Sequence, residues 1–147
     1  MQLEKFTALI KNAIGEAQTS ALAANHQILM AEHVLAALLE NSNITVKMLL
    51  ARAGCNSEAL TKQLRASLEK IPQVTGSGAG QLQLDKDLAK IFTEVEKEAK
   101  SRQDQFIAVD LLILAMLKSS GSVGKLLNSA GLEVHRLNIA IEEMRKG

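Results

Sequence analysis

The sequence predicts an all-α domain built from one four-helix unit used twice, about eight helices related by a pseudo-two-fold. Three observations carry this expectation. Apolar residues recur at helical spacing at Phe6, Ile10, Ala13, Ile14, Ala17 and Ala21. The same spacing returns at Leu84, Leu88, Ile91, Phe92, Val95 and Ala99, each 78 positions further on, the signature of an internal duplication. No stretch alternates apolar and polar residues with β-branched enrichment, so strands have no visible candidate.

The first helix of each half is long and amphipathic, spanning about 4–24 and 85–103, and Asp85 fits the N-cap of the second copy. The next helix starts near Glu32 in "AEHVLAALL" and near Asp110 in "VDLLILAML". Both are apolar on nearly every side, which predicts helices surrounded by protein, with the two halves packing through them. The third is short. Val46, Leu49, Leu50 and Ala53 end at Gly54, and Val123, Leu126, Leu127 and Ala130 end at Gly131, a glycine past the last turn in each case. Here the offset is 77, so one residue is lost between the loops "ENSNITV" and "KSSGSV". The fourth helix carries Leu60, Leu64 and Leu68, matched at Leu137 and Ile141, with Met144 opposite Ser67.

Between the halves, "PQVTGSGAGQLQ" holds the only proline and closely spaced glycines, a composition that breaks helices. The expected organisation is a single domain over 1–147, with repeat one at 1–71, a linker at 72–83 and repeat two at 84–147.

Composition narrows the function. Lys and Arg total 17 against 16 Asp and Glu, a formal net charge of +1 that gathers neither nucleic acid nor an anionic membrane. The longest apolar run, 111–117, falls far short of the ~20 residues of a membrane span. The start carries polar groups throughout and lacks a secretory pattern, and Cys55 is the only cysteine, so a cytoplasmic location is expected.

Chemistry finds little purchase. Cys55 is matched by Leu132 in the other half, as a small buried hydrophobe would be. His26, His33 and His135 have no i, i+4 zinc spacing, and His33, matched by Leu111, reads equally as a partly buried imidazole with a satisfied hydrogen bond or as a pH-sensitive surface residue. The string "GSGAG" at 76–80 is followed by Gln81 rather than Lys-Ser/Thr, so it reads as a tether and not a phosphate loop. No catalytic residue, metal or cofactor is expected. Glu32 and Asp110 stand in first helical turns, where a carboxylate gains roughly 0.3–1 kcal/mol from the helix dipole. Repeat symmetry predicts that both reach equivalent surface positions beside the apolar central helices. An acidic rim next to apolar surface suits a basic or unfolded peptide.

With these features in order, the chain resembles the amino-terminal double-repeat domain of Clp/Hsp100 ATPases over essentially its whole length. The matching motifs are "FTALIKNAIGEAQ", "AEHVLAALL", the "LLARAG" and "LLNSAG" turns and "KIPQVTGSGAG"; "RQDQFIAVDLLILAML" and "AIEEMRKG" place it nearest the ClpB disaggregase branch. The resemblance implies a non-enzymatic, monomeric recruitment module ahead of ATP-using AAA+ rings, which form the hexamer and thread unfolded or aggregated clients. It implies client contacts at Thr7, Asp104 and Asp110, with Leu111 and Phe92 in an apolar groove and Glu32 as an acid paired with Asp110. The alternative it implies is an adaptor-docking domain of a proteolytic ClpA/ClpC-type unfoldase.

Overall fold

In the computed structural model, which describes residues 3–40, 44–76 and 80–146, helical spacing resolves into eight α-helices. They are α1 (Ala8–Ala23), α2 (Ala31–Glu40), α3 (Ile44–Arg52), α4 (Ser57–Glu69), α5 (Lys86–Ser101), α6 (Val109–Lys118), α7 (Ser122–Ser129) and α8 (Val134–Lys146). The duplication is visible in the lengths. Helices α1 and α5 have 16 residues each, α2 and α6 have 10, and α4 and α8 have 13.

Backbone exceptions repeat with the helices. Asn25 and Gln103 both take left-handed conformations, at φ 60 and 61, just past α1 and α5. Gly54 and Gly131 do the same past α3 and α7, at φ 82 and 103, where a Cβ would be strained. These two glycine turns meet: a Cβ on Gly131 would stand 3.0 Å from the Gly54 carbonyl oxygen, and the Asn56 N–H donates to Ala130 O at 2.9 Å.

Two features differ from the sequence-based expectation. Short strands β1 (Ile28–Leu29) and β2 (Gln83–Leu84) pair in parallel, and Phe6 bridges Ile107 in the same sense. The two pairings are related by the repeat, so the segment leading into each long helix lies against the other half. Two residues per strand are too few to show an alternating pattern, which is why the sequence conceals them. The second difference concerns the seam. The larger contacts between halves are α3 with α8 and α4 with α7, while α2 packs on α1 and α4, and α6 on α5, α7 and α8. The apolar helices α2 and α6 are thus each central to their own half, and that encirclement is what their all-round hydrophobicity reports.

Both halves share one continuous core, with Leu38, Leu49, Leu50, Leu60 and Leu64 from the first and Leu88, Leu111, Leu112, Ile113 and Ile141 from the second fully buried. The glycine-rich tether and the 41–43 loop lie partly or wholly outside the described residues. The tract before the tether is held down where Val74 N–H donates to Asn25 O at 2.7 Å.

Candidate functional site

The segment 102–108 turns from α5 into α6, and its shape follows from one anchor. Gln103 takes the left-handed conformation that ends α5, and Ile107, buried, plugs the core. Ile107 N–H donates to Lys5 O at 2.8 Å, and its carbonyl accepts from Thr7 N–H at 3.1 Å. Thr7, the N-cap of α1, is therefore tied to the midpoint between Asp104 and Asp110. Its hydroxyl makes no capping bond. Phe106, next to the anchor, is 54% exposed, whereas Phe6 and Phe92 are buried.

Arg145, in the last turn of α8, joins the two aspartates. Its Nε donates to Asp110 Oδ2 at 2.8 Å and its Nη2 to Asp110 Oδ1 at 3.0 Å, a bidentate fork, while Nη1 donates to Asp104 Oδ1 at 3.2 Å. Asp110 Oδ1 also accepts from the Leu111 N–H at 2.7 Å. Asp104 Oδ2 is shut off from solvent and lies 3.0 Å from Nη1 without the alignment of a hydrogen bond. The hydrogen bonds Arg145 donates to Asp110, more than any other influence, hold its proton more tightly than usual, against the opposing effect of burial. Two carboxylates facing one guanidinium leave the cluster with a net charge of −1.

The remaining sequence-derived residues are elsewhere. Phe92 is buried and packs its ring against Phe6, centroids 5.4 Å apart and tilted by 55°. Leu111 is fully buried in the core. Glu32, expected at the surface in symmetry with Asp110, is buried instead; its carboxylate accepts a hydrogen bond from the Ser122 hydroxyl at the start of α7, across the seam. The symmetry breaks because the partners differ: position 145 carries arginine where the first repeat has Leu68, so only the second copy has a cation to hold its acid at the rim.

An open cleft of about 320 Å³ runs between α5 and α6. The largely buried Ile91, Leu114 and Ala115 form its floor, with Asp87, Glu94 and Glu98 on α5 as acids and Lys90 and Lys118 as cations. The cleft joins the start of α5 to the end of α6, so the helices are antiparallel and Asp104 and Asp110 sit towards their other end. Glu98 accepts from Arg102 Nε at 2.7 Å, and mainly through that bond its carboxyl titrates below the usual range. Arg102 in turn donates to Asn138 on α8 at 3.2 Å.

Cys55 is buried and burial pushes its thiol pKa up, so it is poorly suited to act as a nucleophile. His33 is buried with its ring nitrogens engaged, as expected of a satisfied imidazole. Sequence reasoning missed Phe106 and Arg145. Phe106 was findable as the one phenylalanine outside the apolar stripes. Arg145 was findable as a charge where the repeat has leucine.

The family model of the Clp repeat (R) N-terminal domain matches residues 5–130. The chain belongs to this family. Among Clp relatives, the chaperone protein ClpB of Rhizobium meliloti (strain 1021) is 39% identical over 148 residues, covering 100% of this chain, and that of Vibrio cholerae serotype O1 is 33% identical over 147 residues. The chain spans 17% of the length of either relative. Among solved Clp structures, the Hsp104 N-terminal domain from Candida albicans superimposes with a TM-score of 0.81 at 23% identity, covering 96% of this chain and 91% of that one. A ClpV N-domain in complex with a VipB peptide gives 0.73 at 20% identity, over 92% and 83% of the two chains. The homology is to ClpB and related Clp/Hsp100 N-domains. The sequence contains no nucleotide-binding signature, and no single helix among the described residues is long and apolar enough to cross a membrane.

Proposed function

We propose that this Clp repeat domain recruits unfolded or aggregated polypeptide for a ClpB-type AAA+ disaggregase, without catalysing a reaction itself. The observation that carries this reading is the convergence of Thr7, Asp104 and Asp110 on one anchored turn, with the exposed Phe106 ring beside them. Such a surface offers an uncapped hydroxyl, net negative charge and a rigid apolar contact. Those are the groups that hold an extended chain weakly and with little regard to sequence.

The cleft between α5 and α6 lies towards the other end of the same two helices. Helix α6 has 10 residues, about 15 Å of helix, which roughly five residues of extended chain would span. One client segment thus reaches from the aspartates to the cleft, whose floor is the largely buried Ile91, Leu114 and Ala115 and whose rim is the charged side chains of α5. Phe92 and Leu111 act from beneath, by supporting the helices that line this path.

Titration of a labelled, permanently unfolded client against the wild type and Thr7→Ala, Asp104→Ala and Asp110→Ala tests the reading. Weakened binding in at least two variants with unchanged thermal unfolding is expected. Unchanged affinity in all three, with the fold intact, removes the assignment.

A further inference from the structure

We infer that Arg145 is a built-in competitor: its guanidinium sits on Asp104 and Asp110 where an arginine side chain of a client would sit, and client arginine binds by displacing it. The inference rests on the recruitment reading and adds the substrate class and the gate of that same site.

Geometry supports it. A bidentate fork on one carboxylate plus a third bond to a second is how a guanidinium from any source would satisfy this pair. The contact with Asp104 is the looser one: a single Nη1 serves both carboxylate oxygens, donating to Oδ1 at 3.2 Å and lying 3.0 Å from Oδ2. A guanidinium meeting Asp104 with two nitrogens would give each oxygen its own donor.

Position supports it too. Arg145 projects from α8 onto the rim of the cluster. Its side chain is 35% exposed, so it swings into water without crossing the core. The scaffold does not demand the charge: the first repeat has Leu68 at the equivalent position and sets His26 and Glu32 where the second has Asp104 and Asp110. Those two residues turn inward to His33 and Ser122. Only the copy with a movable cation keeps its acids at the rim.

Displacement exchanges one guanidinium for another, so the site discriminates weakly while Arg145 is present and strongly once it is gone. The test uses fluorescence anisotropy on the 147-residue chain. The probe is a short unstructured peptide bearing leucines and two arginines, and its control is the same peptide with citrulline, which keeps the shape and loses the charge. In Arg145→Gln the preference for arginine over citrulline is expected to rise about tenfold over wild type, equivalent to ~1.4 kcal/mol. An unchanged preference, with both peptides still binding, overturns this inference alone. Failure of both peptides to bind wild type overturns the recruitment reading and this inference with it. Should Arg145→Gln unfold, the Arg145 Nε–H resonance of the wild type decides: loss of its protection on adding the arginine peptide but not the citrulline peptide is expected, and equal behaviour with both contradicts displacement.

Discussion

His33 Nε2 lies 2.9 Å from His26 Nδ1, and this contact fixes the protonation of both rings. The Met30 N–H donates to His33 Nδ1 at 3.0 Å, so the proton of His33 is on Nε2 and His26 Nδ1 accepts it. Both imidazoles are buried and neutral in this arrangement. A further proton on either inner nitrogen faces a donor.

Acid therefore destabilises the fold through this pair. Burial first, and the neighbouring His26 charge second, push the His33 pKa down to about 4, and burial lowers His26 as well. An unfolded histidine titrates near 6.5, so between those values the unfolded chain binds more protons. The contribution is complete above about pH 6.5 and lost as pH falls towards 4, on the order of 3 kcal/mol at ~1.4 kcal/mol per unit. Urea unfolding at pH 7.5 and 4.5 measures it. His33→Leu, which imitates Leu111 of the second repeat, is expected to flatten most of this dependence.

Two glycines in helices should respond in opposite directions to alanine. Gly15 lies in α1 with nothing within 4 Å of an added Cβ, so Gly15→Ala is expected to stabilise by about 0.5–1 kcal/mol. Gly124 lies in α7, where a Cβ would stand 2.2 Å from the Ser119 carbonyl oxygen. Backbone at that distance has to move, and Gly124→Ala is expected to cost more than about 2 kcal/mol. Thermal unfolding of the pair checks both signs.

The buried Glu32 carboxylate depends on one hydroxyl across the seam. Ser122→Ala strands it, and a loss of about 2 kcal/mol is expected from removing the hydroxyl donor of a buried carboxylate. A double-mutant cycle with Glu32→Ala should return most of that as coupling. Additive effects would mean the contact adds nothing to stability.

Phe92 and Phe106 separate scaffold from surface. Phe92→Ala removes a buried ring packed on Phe6 and is expected to cost about 3–5 kcal/mol. Phe106→Ala removes an exposed ring and should leave stability within about 0.5 kcal/mol while weakening binding of an unfolded client several-fold. Chemical denaturation and a client titration on both variants give the comparison.

The sequence made the helices legible because each carries its own signal: a stripe at 3.6-residue period, Asp85 as a cap and Gly54 and Gly131 as stops. Comparing the halves gave the duplication without any structural input. Contacts between distant segments were another matter. The Thr7–Ile107 and Asp85–Leu29 backbone bonds leave no trace in side-chain pattern. Glu32 and Asp110 look equivalent in sequence, yet one is buried by Ser122 and the other held at the rim by Arg145, and neither partner lies within 30 positions. Asp104 could be assigned only through resemblance, since nothing in its local sequence sets it apart from any other loop acid.

Amide shift mapping of the isotopically labelled domain with a reduced and alkylated, permanently unfolded protein tests the central claim most directly. The account predicts that the perturbed amides concentrate at Thr7, through 104–111 and along Ile91, Leu114 and Ala115. Perturbations centred instead on α4 and the β1–β2 pairing, with Thr7 and the 104–111 turn unmoved, would contradict it.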